Sequence, residues 1–279
     1  MDKNFNNGWN LDIEFPLVGR EEKPRRNGLT MVLDKGLGLY ESEDLLEIAS
    51  EYIDFLKLSF GTSALYPKDL LKKKIELVKD YGVEIYPGGT FLEVAIIQNK
   101  WEEYLYKAKE LGFNAIEVSD GTIDLPFDLR SSIIKKARKL EFTVFAEIGK
   151  KDKDEEFEVS QMIKQLKMDI ADGADKVIVE ARESGKGVSI YNESGEADEF
   201  KLQRLLLDSP HPTDIIWEAP LKKQQVYFIN VLGNNVNLGN IDTRDILALE
   251  SLRTGLRGDT FKKTLNLDSP DKTVIEIDV

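Results

Sequence analysis

The stretch Ala115-Ile116-Glu117-Val118-Ser119-Asp120-Gly121-Thr122 decides the fold. It is a short apolar strand that turns polar as it ends and closes on a glycine turn. Successive side chains of a strand point to opposite faces, so Glu117 and Ser119 share one face and Ile116 and Val118 the other. Seven more segments have this form: GLTMVLDKG from Gly28, DFLKLSFGT from Asp54, VEIYPGGT from Val83, TVFAEIGKK from Thr143, KVIVEARESG from Lys176, DIIWEAP from Asp214 and NVNLGNI from Asn235. Between them the apolar spacing becomes helical. Leu45, Leu46, Ile48 and Ala49 form one stripe over 43–52, and Leu71, Ile75 and Val78 form another over 70–78. Further helices are expected over 91–111, 127–140, 157–171, 198–207, 221–231 and 243–256. Pro67 and Pro220 stand where a first-turn proline is tolerated, and Gly82, Gly112 and Gly173 where helices commonly stop.

Strands alternating with helices pair in parallel, and eight such units close into a TIM (β/α)8 barrel in the α/β class. The expected organisation is a single domain over 1–279, with an N-terminal arm over 1–25, the barrel over 26–258 and a C-terminal extension over 259–279. A dinucleotide-binding fold would need G-x-G-x-x-G after an early strand. Asp34-Lys35-Gly36-Leu37-Gly38 matches only in part, and Lys57 and Ser59 stand where that fold wants an acid.

Composition narrows the function. The chain has 279 residues, 41% hydrophobic and 32% charged, enough for one large core. No apolar run approaches the roughly 20 residues that span a bilayer, and the start MDKNFNNGWN lacks a signal-peptide core, so a cytoplasmic protein is expected. With no cysteine there is no thiol nucleophile, disulfide or Cys-ligated metal. A net charge of -13 disfavours nucleic acid and anionic membranes as partners. It leaves room for a small anionic substrate held by a few local cations, and a homo-oligomer is compatible with the surface.

Strand counting places Lys57, Ser59, Gly61, Tyr86, Glu117, Glu147, Glu180, Arg182, Glu218, Asn235 and Asn237 facing the axis toward the C-terminal strand ends, where barrel enzymes place their chemistry. Each carboxylate alone reads as half of a buried ion pair. Together they must be protonated, matched by cations or bound to a metal, because uncompensated buried charge is costly. Carboxylate oxygens suit Mg²⁺, and Glu117, Glu147 and Glu180 are the candidate ligands. Lys35, Lys57, Lys150 and Arg182 end strands or begin loops at matching depth. With the turn from Ser59 through Gly61 to Thr62, and with Asn237, they make the candidate anion site; forked arginine recognition suits phosphate, carboxylate and sulfonate. The glycine turns at 61–63, 87–90 and 184–187 would offer backbone N–H groups, or are plain chain reversals. The sole histidine, His211, is expected at the opposite end of the barrel, so acid–base work falls to Lys, Glu, Asp or Tyr.

The segments GLTMVLDKG, DFLKLSFGTSA, YPGGT, EVSDGT, EIGKKD, VIVEARESGKG, EAP with a following QQ, VNLGNI and SLRTGLRGDTF resemble phosphosulfolactate synthases, over about Arg26 to Phe261. The resemblance implies a lyase of the barrel class that adds sulfite to C3 of phosphoenolpyruvate with Mg²⁺ as cofactor, giving (2R)-phospho-3-sulfolactate. It places the proton donor for C2 at Lys150 in the EIGKK segment, with Lys151 as the weaker claimant. It connects the step to coenzyme M synthesis in methanogens and to sulfolactate elsewhere. Two other classes share these features: a Schiff-base aldolase using Lys57 or Lys150 without a metal, and a non-catalytic stress-associated barrel of the same family.

Overall fold

The computed structural model describes residues 9, 13–149, 159–209 and 212–265. Eight strands, β1 (Thr30–Asp34), β2 (Phe55–Leu58), β3 (Glu84–Pro87), β4 (Ala115–Val118), β5 (Thr143–Ile148), β6 (Lys176–Val179), β7 (Ile215–Glu218) and β8 (Leu238–Asp242), alternate with helices. The helices are α1 (Leu39–Ala49), α2 (Lys68–Asp80), α3 (Gly89–Ile97), α4 (Trp101–Leu111), α5 (Phe127–Lys139), α6 (Val159–Asp172), α7 (Glu199–Asp208), α8 (Lys222–Leu232), α9 (Ile246–Arg253) and α10 (Gly258–Leu265). The parallel sheet runs β3-β2-β1-β8-β7-β6-β5-β4. Its end strands β3 and β4 meet at a seam where Ile85 N–H donates to the Asn114 side chain (2.8 Å). The result is the nearly closed (β/α)8 barrel expected from the alternation.

Outward strand positions such as Ile116, Val118, Val144, Ala146, Val177 and Val179 pack with Ile133, Ile134 and Leu166 of the helices in one continuous core. Inward positions behave differently. Leu29, Met31, Phe55, Tyr86, Ala115, Phe145, Ile178 and Ile216 form a separate apolar plug on the barrel axis. Phe145 packs edge-on against Phe55, with ring centroids 4.8 Å apart, and tilted against Tyr86 at 5.0 Å. Aromatic pairs of this geometry add about 0.5–1.5 kcal/mol beyond the area they bury.

The next inward residue on the same strands is polar. Phe55 is followed by Lys57, Ala115 by Glu117, Phe145 by Glu147, Ile178 by Glu180 and Ile216 by Glu218. The period of two therefore stacks a charged layer directly on a dry floor, and all five charged residues are buried.

Two expectations are corrected. The helix expected over 91–111 is two helices, because Asn99 adopts the left-handed conformation (φ 54) between α3 and α4. Lys100 N–H donates back to Ala95 O (2.8 Å) and Asn99 N–H to Ile96 O (2.9 Å), which closes α3 as a Schellman turn. The eighth strand begins at Leu238 and not at Asn235. Asn235 and Asn237 consequently lie at the N-terminal end of the barrel. Asn237 accepts from Leu29 N–H (3.0 Å) and donates to Thr213 O (2.7 Å) and Ile215 O (3.1 Å). Asn235 accepts from Glu21 N–H (3.0 Å) and donates to Gly19 O (2.7 Å).

That end is covered by the segment before β1. Arg25 forks onto Asp54, at 2.8 Å in the shorter contact, and Arg20 onto Glu250 at 2.9 Å. At the other end of the chain, Thr260 of α10 donates to Leu252 O of α9 (2.9 Å). Among the described residues no helix is long and apolar enough to cross a membrane.

Candidate active site

A cavity of about 780 Å³ opens at the C-terminal ends of the strands. Its floor is the charged layer. Lys57 reaches across the axis so that its ammonium lies 2.8 Å from Glu117 Oε2, 3.4 Å from Glu147 Oε2 and 3.5 Å from Glu218 Oε1. Burial alone would lower the lysine's pKa, but the three carboxylates outweigh it and hold the ammonium protonated well above its ordinary value.

Glu117 is raised by burial, against the opposing pull of Lys57. Its Oε1 accepts from Gly89 N–H (2.8 Å), so it also caps the start of α3. Gly89 is required there, since a Cβ would stand 2.4 Å from Ser119 Oγ and 2.9 Å from Glu117 Oε1. Glu218 accepts from Ala181 N–H (2.8 Å), and burial raises its carboxyl to about 7, with Lys57 opposing and Glu147 reinforcing the shift. A group poised near neutrality in a cavity floor has the property that acid–base chemistry needs.

The walls are pinned by ion pairs outside the cavity. Arg130 forks onto Asp169 with two contacts of 2.8 Å, reaches Asp120 at 3.2 Å and donates to Glu147 O at 2.9 Å. One buried guanidinium thereby fixes both the end of β5 and the loop after β4. Glu93 of α3 accepts from Ser119 Oγ and from Thr122 N–H (3.2 Å), holding the same loop from the other side. After β1, Asp34 accepts from Gly36 N–H (2.7 Å) and Leu37 N–H (2.8 Å) and pairs with Lys74.

The residues expected at the site distribute unevenly. Lys57, Ser59, Arg182, Glu117, Glu147 and Glu180 all line the cavity. Gly61 and Thr62 do not: Phe60 (φ 56) and Gly61 (φ 66) turn the chain in the left-handed region, so Phe60 takes the wall position, and Thr62 Oγ1 donates to Ser59 O (2.7 Å). Lys35 stands at the rim, half exposed, paired with Glu183 and 3.8 Å from Asp242. Asn237 is at the opposite end of the barrel. The glycine turns direct several N–H groups to protein acceptors: Gly88 to Leu58 O, Gly185 to Ala181 O and Gly187 to Asn192 O. Lys150, Lys151 and His211 lie outside the described residues. Asn240, which a bulge in β8 hides from strand counting, also lines the cavity.

The cavity's donor set fits Mg²⁺ only in part. Among the described residues no three acidic groups converge as a metal cage. Glu117 has one oxygen on Gly89 N–H and the other beside Lys57, so it does not suit a ligand role in this arrangement. Glu147 and Glu180, on adjacent strand ends, each have one oxygen engaged, Glu147 Oε2 at 3.4 Å from Lys57 and Glu180 Oε1 by Arg182 N–H, and supply the hard oxygen donors nearest to a ligand pair in the cavity. Two carboxylates are sufficient for an ion that keeps several waters and takes its remaining ligands from substrate oxygens.

A (β/α)8 barrel whose charged cavity lies at the C-terminal strand ends, over an apolar plug, defines a barrel enzyme acting on a small polar substrate. The family model of (2R)-phospho-3-sulfolactate synthase (ComA) matches residues 18–259, and the chain belongs to that family. It is 45% identical to the phosphosulfolactate synthase of Methanothermobacter thermautotrophicus over 253 residues, covering 90% of this chain and 98% of the relative. It is also 45% identical to the phosphosulfolactate synthase of Methanocaldococcus jannaschii, covering 85% of this chain and 95% of the relative. Among solved structures, 3-hexulose-6-phosphate synthase from Salmonella typhimurium superposes with a TM-score of 0.52 at 12% identity, covering 86% of this chain and 96% of that one, a likeness of fold alone.

Proposed function

We propose that the protein catalyses addition of sulfite to C3 of phosphoenolpyruvate, with protonation at C2, to give (2R)-phospho-3-sulfolactate. The observation that carries the reading is membership of the synthase family across the whole barrel. The cavity chemistry supports it. Among the described residues, six carboxylates, Glu117, Asp124, Glu147, Glu180, Glu183 and Glu218, line the cavity beside two cationic side chains, Lys57 and Arg182. That described lining is net acidic, and a further cation would favour anionic substrates. Mg²⁺ held by Glu147 and Glu180 would supply it, acting as a Lewis acid toward the substrate's oxygens.

The protein's own groups then have distinct tasks. Lys57 offsets part of the floor's negative charge and fixes the orientation of Glu117, Glu147 and Glu218. Arg182 at the wall offers a forked donor to phosphate or sulfonate. The sulfur lone pair of sulfite forms the C3–S bond, the C2–C3 π pair moves toward C2 and the carboxylate, and C2 takes a proton while the phosphate stays attached. We assign that proton to Lys150, on family grounds. Glu218, near neutrality on the floor, is the proposed group for acid–base exchange at the site. Lys57, held charged by three carboxylates, is a poor amine nucleophile, which weighs against a Schiff-base aldolase. The reading includes a cytoplasmic location and a homo-oligomeric enzyme.

The test is phosphoenolpyruvate consumption by the purified protein with sulfite and Mg²⁺, repeated without sulfite, with EDTA and with Lys150→Ala. Loss that requires sulfite and metal, retains phosphate on the product and collapses in the variant is expected. Phosphoenolpyruvate untouched under every condition would reject the proposal in favour of a non-catalytic barrel.

A further inference from the structure

Asn240 carries three unfavourable features at one position. It is a non-glycine residue in the left-handed region, with φ 53. It is 5% exposed, and its Oδ1 is buried with no hydrogen-bond partner. Its backbone N–H has Met31 Sδ at 3.5 Å as its acceptor, a weak bond for a strand amide.

The cause is a bulge. Thr30 pairs with Leu238 and Val32 with Ile241, so Gly239 and Asn240 of β8 stand opposite Met31 alone. Gly239 permits it, since a Cβ there would come within 2.6 Å of Met31 Cε and 3.1 Å of Ile216 Cγ2. Bulges of this kind re-aim a side chain and recur beside active sites. Here Asn240 is among the residues that line the cavity with Lys57, Glu180 and Glu218. An orphaned buried amide oxygen on a non-glycine residue in the left-handed region is unfavourable for folding, and such features cluster at ligand sites.

We infer that the Asn240 amide is a substrate-binding group that holds an anionic oxygen of phosphoenolpyruvate, an inference that rests on the function proposed above. Phosphoenolpyruvate, sulfite and their adduct carry acceptor oxygens almost exclusively. Rotation about the last side-chain torsion exchanges Oδ1 and Nδ2, so either end of the amide can turn its N–H donors toward the cavity. The substrate anion satisfies that amide, and the bulge is the backbone device that presents it. A neutral donor suits this wall, where a further lysine or arginine would be drawn onto the surrounding carboxylates, as Lys35 is onto Glu183.

The test compares wild type, Asn240→Gly and Asn240→Asp in three measurements: thermal midpoint, phosphoenolpyruvate binding by calorimetry with Mg²⁺, and KM and kcat with sulfite saturating. Glycine relieves the left-handed backbone and removes the amide. Asn240→Gly should therefore melt at or above the wild-type temperature while Kd and KM for phosphoenolpyruvate rise about tenfold or more. Asn240→Asp puts a carboxylate against the anion and should weaken binding further, with the extra loss shrinking at lower pH. Wild-type affinity in Asn240→Gly overturns the inference, and so does a loss of affinity that only accompanies a fall in thermal midpoint, since that is a packing role. Wild-type protein that neither binds nor consumes phosphoenolpyruvate overturns the underlying functional reading instead, and the unsubstituted control reports this separately.

Discussion

Replacing Lys57 by methionine removes one ammonium and leaves three carboxylates facing each other above an apolar plug. In the native protein these lie at 2.8, 3.4 and 3.5 Å from Nζ, all in buried residues. Removing one partner from a buried charge cluster costs about 3–5 kcal/mol, and for a chain of this size each kcal/mol moves the melting midpoint by about 2–4 °C. A fall of about 10 °C at pH 8 is expected on that scale.

The pH dependence identifies the cause. Without the ammonium, the folded-state values of Glu117 and Glu218, already raised by burial, rise further above the ordinary carboxylate value. The folded state then binds more protons than the unfolded chain, so the variant loses stability as pH rises from the ordinary value through the raised ones. Lys57 itself contributes no slope in this range, because its folded value lies above 10.5 and its stabilisation is lost only at higher pH. Thermal melts of wild type and Lys57→Met at pH 5 and pH 8 should show a small gap at the first and the full gap at the second. The double variant Lys57→Met, Glu117→Gln should recover part of the loss at pH 8. A gap equal at both pH values would mean a pH-independent packing loss, and no gap at pH 8 would mean that water already screens the cluster; either result would refute the reasoning.

Glu218→Gln should flatten a different slope. Because the folded carboxyl is raised to about 7, its stabilising contribution is complete below about pH 4.5 and declines as pH rises to about 7; urea melts across that range should show the decline in wild type and its loss in the variant. The same substitution should remove a limb near neutrality from the pH profile of kcat. Gly89→Ala forces a Cβ against Ser119 Oγ and Glu117 Oε1, and should cost about 1–3 kcal/mol in denaturant melts together with at least tenfold in activity, as Glu117 is displaced. Arg130→Met leaves Asp169 buried without its forked partner, and a loss of about 3–5 kcal/mol by chemical denaturation is expected, with the loop after β4 becoming more susceptible to proteolysis.

Much of this protein is legible from its sequence, for a local reason. Strand and helix periodicity are properties of neighbouring residues, so seven of the eight strands fall inside the segments marked by alternation. The inward carboxylates Glu117, Glu147, Glu180 and Glu218 follow from counting by two. Counting works only from a correct origin and an unbroken period. In β8 both conditions fail, since the strand starts at Leu238 and bulges at Gly239 and Asn240. Counting by two therefore puts Asn237 on the reaction face and passes over Asn240. The pair Gly239-Asn240 was the available signal, a glycine beside a residue that tolerates the left-handed region.

The sequence by itself determined the barrel, the layer at which charge begins and the family to which the chain belongs. Tertiary structure alone decided how that charge is shared. Lys57 and its three carboxylates come from β2, β4, β5 and β7, and no spacing along the chain states that one ammonium reaches all three. The left-handed turn that substitutes Phe60 for Gly61 in the wall, the capture of Lys35 by Glu183 and the bulge that aims Asn240 inward belong to the same level. Each depends on distances between residues far apart in sequence, which closure of the barrel fixes.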